Sequence, residues 1–154
     1  MILLLKEEVS KMKDPFFLER FVNAQKLYYA RALGEIRQGH KQTHWIWFIF
    51  PQIGGMGSSY EARTFAISGL EEAKAYLQHP TLRRHLEEIT QALLKLPGSD
   101  PLPVMGSGID VLKLQASMTL FAEAEPENTL FSEVLKKYYK GQKHKRTLQL
   151  LGIQ

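Results

Sequence analysis

The stretch THWIWFIFPQIGGMGSS, Thr43 to Ser59, decides between an all-helical and a mixed fold. Trp45 to Phe50 are all aromatic or isoleucine, and no other run approaches the β-branched, turn-bounded pattern that a sheet needs. These six residues can be read on either a helical or an extended backbone. Everywhere around them the punctuation is helical. Asp14-Pro15 supplies an N-cap with proline at the first helical position. Leu18, Val22, Gln25, Tyr29, Ala32 and Ile36 then recur at steps of four and three, and Gly39 supplies the stop. Ser59 caps a predicted short helix through Ile67, and Ser68-Gly69-Leu70-Glu71 matches a capping box that opens a helix to about His79. Further helices are predicted from Pro80 or Thr81 to Leu96, from Ile109 to Ala124, from after Pro126 to Tyr139, and from Thr147. PGSDPLPVMGSG, between the second and third of these, reads as one long loop. The expectation is an all-α, compact multihelical single domain of about seven or eight helices over residues 14–154, with residues 1–13 as a flexible N-terminal extension.

At 154 residues, 44% hydrophobic and 23% charged, the chain is long enough to bury roughly 70% of its unfolded surface in one core. It has no cysteine, which excludes disulfides and cysteine-ligated metal sites. MILLLKEEV lacks the basic start and the length of a signal-peptide core, and no apolar run reaches the roughly 20 residues of a membrane helix. A cytoplasmic protein is expected. The formal charge of +4 is concentrated in Lys136, Lys137, Lys140, Lys143, Lys145 and Arg146, a segment without an acid, so the rest of the chain is mildly acidic.

Several phrases occur together and in order: DPFFLERFVNAQ from Asp14, HWIWFIFPQIGGMGSS, EEAKAYLQHP, DVLKLQASMTLF from Asp110, and TLQLLG near the end. With them the chain resembles the bacterial and fungal proteins grouped as domain of unknown function 1810, some of which carry the label calpastatin. The resemblance implies a compact all-helical fold and no particular activity. The calpastatin label does not suit this chain, because calpain inhibitors are disordered and aromatic-poor whereas 10% of these residues are aromatic. The basic segment KKYYKGQKHKR is more charged than the family pattern, so a function of that segment would be particular to this protein.

Three function classes follow. The first is a small-molecule pocket for an anionic, nucleotide-like ligand, with hydrolysis among its candidate activities. Core packing accounts for most of the aromatic run, since each such side chain contributes roughly 1.5–3 kcal/mol on burial. It does not account for His44, Gln52 and the glycines. Gly54 and Gly55 let backbone amides approach a ligand, and Ser59 would lead such a loop into a helix N-terminus. The loop matches neither the Walker nor the dinucleotide fingerprint. On the helix from Ile109, Asp110, Lys113, Ser117 and Phe121 share one face, which offers Lys113 as an anion contact and Ser117 beside it. The candidate ligand-binding set is therefore Gln25, His44, Trp47, Gln52, Gly54, Gly55, Ser59, Lys113 and Ser117, with His44, Lys113 and Ser117 as catalytic candidates. Lys113 and Ser117 stand in the wrong order for the S-x-x-K acyl enzymes. His40 and His44 have the i, i+4 spacing of metal ligands, but Lys41 replaces the glutamate of the zinc-protease pattern, and neither a metal nor a cofactor is expected. The second class is a nucleic-acid accessory protein that uses the basic segment, with Tyr138 and Tyr139 to stack on bases. The third is a protein-interaction domain marked by an exposed apolar patch.

Overall fold

The computed structural model describes residues 13–153, and the expected N-terminal extension lies outside them except for Lys13. The described residues form nine helices: α1 (Glu19–Arg37), α2 (Ile46–Ile49), α3 (Tyr60–Thr64), α4 (Leu70–Gln78), α5 (Pro80–Lys95), α6 (Pro101–Met105), α7 (Gly108–Ala124), α8 (Leu130–Tyr139) and α9 (Lys145–Leu150). Among them there is no strand, only one isolated parallel bridge between Ile53 and Ile67. Among the described residues no helix is long and apolar enough to cross a membrane. The fold is all-α, as the periodicity predicts.

The helix starts show where local chemistry overrides the simple signals. Asp14 does not open a helix at Pro15. Its carboxylate accepts instead from the N–H groups of Leu18, at 2.7 Å, and Glu19, at 3.1 Å. Phe17 adopts a left-handed φ of 53° between them, which delays α1 to Glu19. The capping box at Ser68 closes through Glu72 rather than Glu71, with Glu72 Oε1 accepting from both the Ser68 N–H and hydroxyl. The stretch that reads as a long loop contains α6. Asp100-Pro101 starts it, with Asp100 accepting from the Leu102 N–H at 3.0 Å, and left-handed Gly106 ends it. That turn is one reason for nine helices instead of seven or eight.

The core is organised around α7, which packs against α2, α4, α6, α8 and α9. Ala116 to Phe121 are six consecutive buried residues, so the helix has no solvent face over nearly two turns. α1 packs on α5, and α5 on α8. Arg83 of α5 reaches the end of α7 with a two-pronged pair to Glu125, at 2.7 and 2.9 Å.

Trp45 to Phe50 resolve as one turn of helix, α2, entered through fully buried Trp45. A carboxylate holds that entry. Glu35, 7% exposed on α1, accepts from the N–H groups of Gln42 and Thr43, the Thr43 hydroxyl and Trp45 Nε1 at 2.7–3.0 Å. Burial alone would raise the pKa of Glu35. The four donors outweigh it and hold the carboxyl at about 2. Because its folded pKa lies below the unfolded value of 4.5, the carboxylate stabilises the fold above pH 4.5 and loses that effect as pH falls towards 2. Glu35→Ala leaves these donors without their partner and is expected to cost about 3 kcal/mol. Urea unfolding at pH 7 and again near pH 2.5 should show a difference between wild type and variant that shrinks in acid.

Candidate functional site

The glycine loop is fixed from beneath by α1. The Arg20 guanidinium donates to the carbonyls of Thr64 and Ala66, each at 2.9 Å, and pairs with Glu72 at 2.7 Å. These bonds pull residues 65–67 out of helical conformation. Ile67 can then pair with the loop, its N–H donating to Gln52 O and its carbonyl accepting from the Gly54 N–H. This is why α3 stops at Thr64 and not at Ile67. Close approach explains two glycines: a Cβ on Gly54 would lie 3.0 Å from Ala66 Cβ, and one on Gly57 only 2.8 Å from Ala62 Cβ. Gly55, at φ +100°, lies against Leu150 of α9. Beyond Gly54 the backbone N–H groups of Gly55 to Ser59 bond to no other described residue. The Ser59 hydroxyl caps α3 by accepting from the Ala62 N–H at 3.1 Å.

Between this loop, α3 and the start of α7 lies a cleft of about 480 Å³. Trp47 and Phe65 supply its aromatic surface, and Ile53, Met56, Leu112 and Ala116 its aliphatic surface. Gln52, Gly54, Gly55, Ser59 and Lys113 also line it, so six residues of the candidate ligand-binding set, Trp47 included, meet in one place. Lys113 Nζ sits 5.0 Å from the centroid of the Trp47 ring, a cation–π contact. It has no carboxylate partner among the described residues. Asp110, one turn earlier, pairs instead with buried Lys41 at 2.8 Å. Ile109 and Leu112 stand 68% and 56% exposed at the rim.

The other three candidates lie elsewhere. Gln25 is a satisfied core amide, its Nε2 donating to Phe48 O and Tyr76 Oη. Its Oε1 accepts from His85 Nδ1 at 2.8 Å, and the His85 ring stacks on Tyr29. His44 is exposed and does not line the cleft. His40 contacts Pro103 O through Nδ1. Ser117 is fully buried with an unpartnered hydroxyl, and neither it nor Phe121 reaches the cleft, because α7 is enclosed by that point. The shared face read from the spacing therefore splits: Asp110 turns to Lys41, Lys113 to Trp47, and Ser117 and Phe121 to the core. Trp47 Nε1 is likewise buried without a partner among the described residues.

The basic segment is largely engaged. Lys137 Nζ donates to Leu96 O, Lys143 pairs with Glu123 at 2.6 Å, and Lys136 lies near Glu133. Arg146 donates to Gln149 of its own helix, while Lys140 and Lys145 are exposed. Tyr138 is buried with its hydroxyl on Leu93 O, and the Tyr139 hydroxyl bonds Val111 O, so these rings are committed to packing.

A titratable cleft residue, His144, is missing from the candidate set read from the sequence. His144 lines the cleft and caps α9, its Nδ1 accepting from the Thr147 N–H at 3.2 Å. Thr147 Oγ1 lies 2.9 Å from the same nitrogen, and the His144 N–H donates to Thr119 Oγ1 on α7. The signal was a polar residue three before Thr147, hidden by the surrounding lysines. Because Nδ1 accepts, the neutral ring carries its proton on Nε2. Burial lowers the His144 pKa, and both burial and Arg84 lower that of His85. Folded pKa values below the unfolded 6.5 mean that full stability holds above pH 6.5 and declines as acidification titrates the unfolded chain first. Urea unfolding from pH 7.5 to 5 should show that decline. His144→Asn, which keeps a good N-cap, should reduce the slope without removing it, since His85 still titrates.

The family described as "Protein of unknown function (DUF1810)" matches residues 15–151. The crystal structure of the conserved hypothetical protein Rv1873 from Mycobacterium tuberculosis is similar, with 46% sequence identity and a TM-score of 0.87. The likeness covers 92% of this chain and 100% of that one. No curated protein matches the chain. A match over residues 15–151 and a closely similar relative agree with the motifs DPFFLERFVNAQ, HWIWFIFPQ and SMTLF, and the chain belongs to the DUF1810 family.

Proposed function

We propose that this protein binds a small anionic molecule with a flat apolar part, such as a nucleotide, in the cleft between the glycine loop and α7. The observation that carries the reading is the charge of the cleft wall. Among the described residues no aspartate or glutamate lines it, and Lys113 lies over the Trp47 ring without a carboxylate partner. A lysine at a half-buried site ordinarily gains from a carboxylate. Left unneutralised beside an indole face, it offers an anion both a countercharge and a surface to stack on. The volume of about 480 Å³ falls within the roughly 300–1,000 Å³ typical of small-molecule sites. The unbonded N–H groups of Gly55 to Ser59 add neutral donors along one edge.

Hydrolysis through His44 and Ser117 gains no support from geometry, since neither lines the cleft with Lys113. The nucleic-acid reading is weaker, because Tyr138 and Tyr139 are turned inward and Lys137 and Lys143 are already bonded. The test is a thermal-shift panel of nucleotides, coenzymes, sugar phosphates and divalent metals on wild type and Lys113→Ala. A ligand at a hundred times its Kd should add about 2.7 kcal/mol of stability. The shift should be largely lost in Lys113→Ala. A well-folded wild type that responds to nothing in the panel overturns the proposal.

A further inference from the structure

The cleft meets an anion with very little charge. Among the described residues that line it, Lys113 is the single lysine or arginine. The second side-chain group suited to an anion is His144, and its geometry makes it a neutral donor. The Thr147 N–H must donate to Nδ1, so the ring proton is on Nε2, which has no partner among the described residues. His144 is held from two sides, its ring by Thr147 on α9 and its backbone N–H by Thr119 on α7. Lys113 is fixed to the same helix six residues before Thr119. The remaining surface is mostly apolar and includes Trp47, Phe65, Met56 and Leu112.

Polyphosphates are bound with several cations, usually including a metal ion, because each phosphoryl group moved from water needs a countercharge. Among the described residues no group of three acidic or histidine side chains is placed to hold a metal. Building on the ligand-binding reading, we infer that the cleft selects a ligand with one anionic group, phosphoryl or carboxylate, on a planar apolar body, and that Lys113 and His144 Nε2–H together address that group. One lysine supplies the charge and one imidazole supplies a directed hydrogen bond. Further phosphoryl groups would find the neutral N–H donors of Gly55 to Ser59 and apolar surface, but no countercharge.

Isothermal titration calorimetry of the full chain with adenosine, AMP, ATP and indole-3-carboxylate tests this. AMP or indole-3-carboxylate should bind at least tenfold more tightly than adenosine, and ATP no more tightly than AMP. The tighter of the two single-anion probes identifies the head group as phosphoryl or carboxylate. His144→Asn retains the α9 cap but withdraws the Nε2 donor. It should weaken the single-anion probe about tenfold while leaving the melting temperature near wild type and adenosine binding unchanged. ATP binding tenfold tighter than AMP overturns the single-anion inference and leaves the cleft as a nucleotide site. Unchanged affinity in folded His144→Asn removes His144 from the anion contact. Absence of binding by all four probes to wild type overturns the inference together with the reading on which it rests.

Discussion

The arrangement of the aromatic stretch depends on the Glu35 carboxylate. Its donors are Gln42, Thr43 and Trp45, so one buried acid fixes the chain from the end of α1 to the entry of α2. Trp45 is thereby locked inward, with Lys41 Nζ 4.9 Å from the centroid of its ring. Two residues on, a helical turn rotates the side-chain direction by about 200°. Trp47 consequently leaves the core and reaches the cleft, while Ile46, Phe48 and Ile49 remain buried. The large side chains lie beside flexible glycines because a single turn of helix divides them between two tasks. Trp45, Phe48 and Phe50 build the core, and Trp47 becomes a wall.

The parts of the fold that were legible in the sequence are those set by local chemistry. α5 begins at Pro80 and α7 ends at Ala124 where the capping and periodic signals place them. The departures have long-range causes. α3 ends early because Arg20, over forty residues away, holds the carbonyls of Thr64 and Ala66. The site divides in the same way. Trp47, Gln52, Gly54, Gly55 and Ser59 come from one continuous stretch, and their proximity follows from chain connectivity. That Lys113 faces them, and Ser117 does not, depends on how α7 is enclosed. That Gln25 is spent on Phe48 and His85 depends on the packing of α1 against α5. His144 was invisible because its neighbours suggested a solvated basic segment, whereas Thr119 holds its backbone N–H and Thr147 its ring.

The basic segment is better understood as part of the core's perimeter than as a separate tail. Lys137 and Tyr138 donate to the carbonyls of Leu96 and Leu93 at the end of α5, and Tyr139 to that of Val111 on α7. Here the Lys137 stem and the tyrosine rings cover apolar surface, while Lys137 and Tyr138 satisfy carbonyls at the C-terminal end of α5. The segment then delivers His144 to the cleft and Leu150 to Gly55. Its excess charge accompanies a packing role, so charge density alone is a poor guide to a nucleic-acid surface in this chain.

The cleft's electrostatic character is set outside it, at Lys41. Asp110 lies three residues before Lys113 on α7, a spacing at which an aspartate and a lysine ordinarily pair. It pairs with Lys41 instead, and that lysine is buried, only 7% exposed. Removing Asp110 from Lys41 would leave a charge stranded in the core, a cost of several kcal/mol that no half-exposed pair with Lys113 could offset. The core therefore withholds this carboxylate from the cleft. Lys113 is left with the Trp47 face, an attraction of about 0.5–2 kcal/mol. That contact is weak enough for an anion to recruit the lysine and strong enough to keep it in place beforehand. The buried ion pair and the unpaired cleft cation are two consequences of one arrangement.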